Sequence, residues 1–242
     1  MLKSHYQEIA KNQDNHWWYR GMTVINLSLL DYYLAKKRNL KILDAGCGPG
    51  VMLPHLKKYG DVLGVDLSTD ALKFAEKRGI VKKADITNLK TKDNTYDLII
   101  CMDVMYHTWV KDVNKALVEF KRVLKKGGML LIREPAYNWM RGNEDRGSLT
   151  ARRFSKGDLE KSLIKNGFKV KKISYVNFFL FPIVFAVRIY GMITNKKGSS
   201  DLLIPSSLIN NLLFLNLKIE SYIIKYVSLP FGSSLICVTI KK

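Results

Sequence analysis

Four aspartates stand at or just past the ends of short apolar runs: Asp44, Asp66, Asp85 and Asp103. Gly46, Gly48 and Gly50 follow the first of them at alternate positions. Carboxylates gathered at one edge of a sheet can accept hydrogen bonds from ribose hydroxyls and from amino groups. Glycines let a backbone approach a ligand closely because no Cβ stands in the way. The helix start behind them points unpaired N–H groups at the same place. A nucleotide-like cofactor is the natural occupant. The dinucleotide pattern G-x-G-x-x-G is not met, since Val51 stands where its third glycine would fall. The pattern present is Asp-x-Gly-x-Gly-x-Gly. A carboxylate at Asp44 would repel a pyrophosphate and suits a ligand with a positively charged amino-acid end.

These residues resemble the class I S-adenosylmethionine-dependent methyltransferases, in particular the broad small-molecule group sometimes called type 11. The resemblance is strong over about residues 40–135 and weak over 150–175 and 233–242. It implies S-adenosylmethionine as cofactor and S-adenosylhomocysteine as product. Matched by position, Asp44 and the Gly46–Gly50 turn should hold the methionine end, and Asp66 the ribose hydroxyls. Asp85 should accept from the adenine amino group, with Ile86 beside the ring and Leu67 over its other face. The plainer reading of Asp85 is a turn cap. Cys101 and Met102 should line the methionine moiety. The run His16–Gly21 resembles a segment that folds over the cofactor in related enzymes. There Arg20 could pair with the methionine carboxylate, and Trp18 or Tyr19 could meet the sulfonium by cation–π attraction. The alternative is an aromatic anchor for the first helix.

Methyl transfer is an in-line displacement with a good leaving group, so the protein mainly positions reactants and excludes water. A base is needed only for hydroxyl or ammonium nucleophiles. His107 is the first candidate, with Asp103 and Tyr106 behind it. Glu134 and Tyr137, just beyond the fifth strand, could also face substrate. Each has a plain loop or helix-start reading beside the chemical one. No metal site is expected. Cys47, Cys101 and Cys237 are far apart with no C-x-x-C pairing, which fits a reducing compartment.

Positioning these groups takes alternating strands and helices, hence an open, doubly wound α/β sheet. Strands are expected at 41–45, 61–66, 80–84, 97–101, 129–132, 168–176 and 234–241. Helices are expected at about 4–14, 20–37, 50–58, 69–78, 110–125 and 155–166. The resemblance implies a mostly parallel, seven-stranded, Rossmann-like methyltransferase sheet whose last strand runs antiparallel. Residues 1–39 read as an N-terminal helical lid, and 40–175 with 233–242 as the cofactor-binding domain. Residues 176–232 read as an apolar helical insertion before the last strand: a substrate cap, a dimer element or a membrane-surface element. In it Val176–Val187 is almost wholly apolar but too short to span a bilayer unaided. A polar link from Asn195 to Ser200 follows. A second apolar stretch, Ile204–Leu229, puts Leu208, Leu212, Leu215, Ile219, Tyr222, Ile223 and Tyr226 on one helical face.

The net charge is +19, from 40 basic and 21 acidic residues. The excess lies toward the C-terminal half. Solvated lysine-rich helix faces explain it plainly; a cationic surface for anionic lipid, phosphorylated substrate or nucleic acid is the sharper reading. No signal peptide is evident at the start, and a cytoplasmic chain, peripheral at the inner membrane face, is the expectation. The expected function is methyl transfer to a small or lipid-linked amphipathic acceptor, with oxygen favoured over nitrogen. A homodimer is a further partner option. An RNA methyltransferase and a non-catalytic cofactor-binding partner subunit are the alternatives. No Asn-Pro-Pro-Tyr or Asp-Pro-Pro-Tyr follows the fourth strand and no Pro-Cys pair occurs, which argues against methylation of nucleic-acid bases. The acceptor half lacks the clustered carboxylates that a polyamine pocket for aminopropyl transfer would want.

Overall fold

The structure, a computed structural model, describes residues 3–141, 145, 148–194 and 204–242. The polar link expected at 195–200 lies outside them. Among the described residues seven strands form one sheet: β1 (Leu40–Ala45), β2 (Gly60–Asp66), β3 (Ile80–Lys83), β4 (Tyr96–Met102), β5 (Leu124–Pro135), β6 (Phe168–Val176) and β7 (Ser234–Lys241). Their order is β3-β2-β1-β4-β5-β7-β6. Strands β1 to β5 run parallel. Strand β7 runs antiparallel to both β5 and β6. This is the α/β sheet the alternation of elements and the resemblance implied.

The helices are α1 (Lys3–Asn12), α2 (Trp17–Leu34), α3 (Leu53–Leu56), α4 (Thr69–Ala75), α5 (Val113–Val123), α6 (Lys156–Lys165), α7 (Phe181–Thr194) and α8 (Ser207–Ile223). The helix expected over 50–58 shrinks to the single turn of α3. Gly46, Gly48 and Gly50 all have positive φ, so the loop stays non-helical through 50, and a proline in the first turn favours a start at Leu53. Ser68, Asp112 and Ser155 cap α4, α5 and α6 by accepting from backbone N–H groups.

The central strands are apolar on both faces because both are covered. On one side α5 lays Ala116, Leu117, Phe120 and Val123 against Leu43, Ile99, Leu130 and Ile132. On the other, α2 lays Met22, Ile25, Leu29 and Leu30 against Ile42, Leu98, Ile100 and Leu131. Helix α8 packs outside α2. At Gly21 of α2 even a methyl group would collide with the Leu217 side chain of α8, so the glycine sets how close the two helices lie.

The inward face of α8 is largely polar. It buries Asn210, Leu217, Glu220 and Ser221. Asn210 Oδ1 accepts from Trp17 N at 2.9 Å, and Asn210 Nδ2 donates to Asn15 O at 2.9 Å. Glu220 accepts from Asn177 N at 2.6 Å and Phe178 N at 2.8 Å. Ser28 Oγ of α2 donates to the Ser221 carbonyl at 2.5 Å. The apolar stripe read from the sequence does share a face, and Leu208, Leu212, Leu215, Ile219, Tyr222 and Tyr226 on it are all exposed.

Candidate active site

The carboxyl ends of β1, β2 and β4 open into a cavity of about 740 Å³. Asp44, Gly46, Cys47, Gly48, Asp66, Leu67, Asp85, Ile86, Met102, Asp103, Tyr106 and His107 all line it. So do Trp17, Trp18 and Tyr19 at the start of α2, and Tyr6 and Ile9 of α1. The sequence-derived set is therefore brought together with a few exceptions.

The glycine turn is held by β2. Gly46 N and Cys47 N donate to Val65 O at 2.8 and 2.9 Å. Gly46 has φ +83°, and a Cβ there would run into the Val104 side chain. Asp66 accepts from Gly48 N at 2.9 Å and Ser68 N at 2.8 Å, so the second acid fixes the first turn. Asp44 is buried at 3% exposure. Desolvation, followed by the nearby Asp66 charge, pushes its carboxyl up to about 7. Burial also raises Asp66, against the hydrogen bonds that lower it. Two close carboxylates with displaced ionisation in a cleft form an anionic centre inside a strongly basic chain. A cationic ligand would relieve both. Asp85 accepts from Thr87 N and Thr87 Oγ1, each at 2.8 Å, so it does cap a turn, yet it also lines the cavity beside buried Ile86. Leu67 stands open at the rim.

Three expected residues lie elsewhere. Cys101 is wholly buried in the core on the α5 side, because successive residues of β4 face opposite ways and Met102 takes the cavity side. Arg20 turns outward: its guanidinium lies 4.0 Å over the Phe214 ring and donates to Asn211 Oδ1 at 3.3 Å, both on α8. It therefore does not reach toward a methionine carboxylate. Gly50 does not line the cavity; it packs against Ala75 of α4, where a Cβ would be tight.

At the acceptor end, Glu134 is buried at 0% and does not line the cavity. Its carboxylate accepts from Val104 N at 3.2 Å, Met105 N at 2.8 Å and Tyr106 N at 3.1 Å. It shapes the loop after β4 and does not meet substrate. Tyr137 stacks on Tyr175 at 5.1 Å, also outside the cavity. The Asp103 carboxylate is tied to the Arg133 guanidinium. The Tyr106 hydroxyl is pushed well above its ordinary range by burial and then by the Asp103 charge, so it stays a phenol. His107 is buried, with its ring 3.9 Å from that of Trp109. Its Nδ1 lies 2.6 Å from the Ser148 carbonyl oxygen. A carbonyl only accepts, so Nδ1 carries the proton and Nε2 keeps the lone pair. Burial pulls the imidazole down to about 3, which leaves it neutral at physiological pH.

Residues outside the sequence-derived set complete the site. Arg133 comes from β5 opposite Met102. Arg153 forms a two-pronged ion pair with Asp145 at 3.0 Å. Ile183, Val184 and Val187 of α7, with Ile204 and Met140, supply an apolar wall. Arg133 had a signal, as the first charged residue after the apolar run Met129–Ile132. Arg153 had none, since basic residues crowd its neighbourhood.

The donor set fits S-adenosylmethionine. Buried carboxylates answer its ammonium and sulfonium, Asp66 and Asp85 answer the ribose and adenine, and the turn is open at Gly48, where a Cβ would meet no protein atom. Comparison with known proteins agrees. Residues 43–132 match the family model described as a methyltransferase domain. An uncharacterized methyltransferase of Schizosaccharomyces pombe is 37% identical over 138 residues, covering 50% of this chain and 48% of that protein. A ubiquinone biosynthesis O-methyltransferase of Aliivibrio fischeri is 29% identical over 140 residues, covering 50% of this chain and 59% of its own length. The chain thus spans about half the length of the curated relatives it matches. A solved Thermotoga maritima structure, described as a SAM-dependent methyltransferase and possible histamine N-methyltransferase, superposes with TM-score 0.61 at 22% identity over 100% of both chains. Residues 43–132, which hold the acid-ended strands and the glycine turn, thus match a methyltransferase domain, and in them the chain is similar to S-adenosylmethionine-dependent methyltransferases.

Proposed function

We propose that this chain transfers the methyl group of S-adenosylmethionine to the oxygen of a small acceptor with an apolar body. One observation carries the reading: Asp44, Gly46, Asp66 and Asp85 share a single cavity with Ile183, Val184 and Val187. The bound cofactor supplies a methyl group on a sulfonium, a leaving group that needs no acid. The chain's own residues do the rest. Asp44, Asp66 and the glycine turn hold the cofactor. Trp17, Trp18 and Tyr19 cover it and exclude water. Neutral His107 offers the Nε2 lone pair to an acceptor hydroxyl, orients it and takes its proton as the carbon–oxygen bond forms and the carbon–sulfur bond breaks, and its low basicity passes that proton on to solvent. At the acceptor end Asp103 and Asp145 are each paired with an arginine, so among the described residues no carboxylate there is left to cage an ammonium. This favours a hydroxyl acceptor.

We also place the chain at a membrane surface through residues 176–232, in preference to a homodimer. No helix among the described residues is long and apolar enough to cross a membrane. The test is transfer from tritiated S-adenosylmethionine into the organic-extractable fraction of a cell extract, with Asp66→Ala as control. Label in that fraction, lost in the variant, is the expected result. Tight S-adenosylhomocysteine binding with no label in any fraction would instead make the chain a cofactor-binding partner subunit.

A further inference from the structure

Helix α8 carries its amphipathicity inside out. Leu208, Leu212, Leu215, Ile219 and Tyr222 follow one another at intervals of four or three residues and form one stripe along the helix, with Ile204 just before it and Tyr226 just after it. All are exposed, from 41% at Ile204 to 71% at Tyr226. The helix cannot roll to bury them. Its other face is committed through Asn210 to Trp17 and Asn15, and through Glu220 to Asn177 and Phe178. An apolar stripe of this length in water marks a surface that meets something.

Two observations say what it meets. The first is continuity with the cavity. Ile204, at the head of the stripe, lines the cavity, as do Ile183 and Val187 of α7. Ile183 and Val187 are also 63% and 64% exposed, so the apolar wall of the site runs out onto the surface. A second copy seated there would close the entrance. The second observation is charge. Among the described residues of 177–232 the sole carboxylate is Glu220, and it is buried. Lys218 is exposed on α8, and the Lys225 Nζ lies 5.4 Å from the Tyr222 ring and 5.7 Å from the Tyr226 ring. Tyr32 of α2 meets Tyr226 at 5.7 Å, which brings the exposed Lys36, Lys37 and Arg38 to the same end. A second copy would bring the same cations and the same +19. An anionic bilayer brings the opposite charge, and tyrosines and lysines suit its interface.

We infer that the α7–α8 surface docks on an anionic lipid bilayer, with the α8 stripe lying flat in the headgroup boundary and the cavity mouth facing the lipid. An acceptor's apolar part then passes from bilayer to site without crossing water. The passage of the acceptor rests on the methyl-transfer reading; docking itself does not. The experiment is flotation of the full chain with vesicles of phosphatidylcholine alone or mixed with phosphatidylglycerol. Leu212→Glu/Ile219→Glu is the variant, chosen because both side chains are already in water. The wild type should float with the anionic vesicles and far less with phosphatidylcholine alone. The variant should partition about tenfold less or weaker, with unchanged thermal unfolding and S-adenosylhomocysteine affinity. A wild type that stays unbound, or a variant that floats equally well, overturns the inference. So does sedimentation showing a wild-type dimer that the variant disperses, which would give this face to a second copy. Cofactor affinity, read separately by calorimetry, tests the methyltransferase reading on its own.

Discussion

Asp44 shows how a binding residue is kept ready at the expense of stability. Its folded carboxyl is raised from 3.8 to about 7 by burial first and Asp66 second. A raised folded pKa means that stability is full below about pH 4 and falls as pH rises toward 7. The penalty at neutral pH is on the order of a few kcal/mol. Asp44→Asn should therefore unfold at a higher temperature than the wild type at pH 8, with the gap closing at pH 4, while losing affinity for S-adenosylmethionine. Calorimetry at the two pH values checks both halves. Gly46→Ala puts a side chain at φ +83° and against Val104. It should cost about 1–3 kcal/mol in chemical denaturation and weaken cofactor binding more than tenfold, because the turn must shift. At this scale much was legible. Apolar runs ending in acids, and glycines behind the first, are local patterns. Arg20 was not legible, because its partners Asn211 and Phe214 lie some 190 residues away. Nor was the side of Cys101, because β4 is apolar on both faces and no alternation marks which residue faces the ligand.

At the scale of elements, one carboxylate links the insertion to the site. Glu220 of α8 holds the two backbone N–H groups that start the turn into α7, and α7 forms the apolar wall. Glu220→Ala leaves Asn177 N and Phe178 N buried without acceptors, a loss of about 2–5 kcal/mol. The expected result is a lower unfolding temperature and a KM for the acceptor that rises more than kcat falls; Glu220→Gln should recover part of both. An unchanged KM would sever α8 from the site. The strands and most helices could be read from the sequence because period and end residues are local. The sequence could also say that the α8 apolar residues share a face. It could not say that this face looks outward, since the rule that apolar faces point inward fails where the polar residues opposite are spent on specific partners.

For the whole molecule, the three cysteines report packing and cofactor together. Cys47, Cys101 and Cys237 are all buried, and burial raises each thiol above its ordinary range. A thiol reagent should label the native chain slowly and all three sites at once in denaturant. Cys47 lines the cavity, so S-adenosylhomocysteine should slow its labelling and leave Cys101 and Cys237 unchanged. Mass spectrometry of labelled peptides separates the three. Equal protection of all three would mean that the ligand acts by global stabilisation alone.

The grip of α8 on the first turn of α2 has a kinetic consequence. Asn210 holds Trp17, and Phe214 with Asn211 holds Arg20, on either side of the aromatic segment that covers the cavity. Under the methyl-transfer reading, cofactor and spent product pass that segment, and their exchange is then expected to be timed by how often α2 and α8 part. Turnover is then governed by residence time at the latch, and Asn210→Ala should hasten product departure in stopped-flow measurements. A bilayer pressing on the outer side of α8 would slow the same clock.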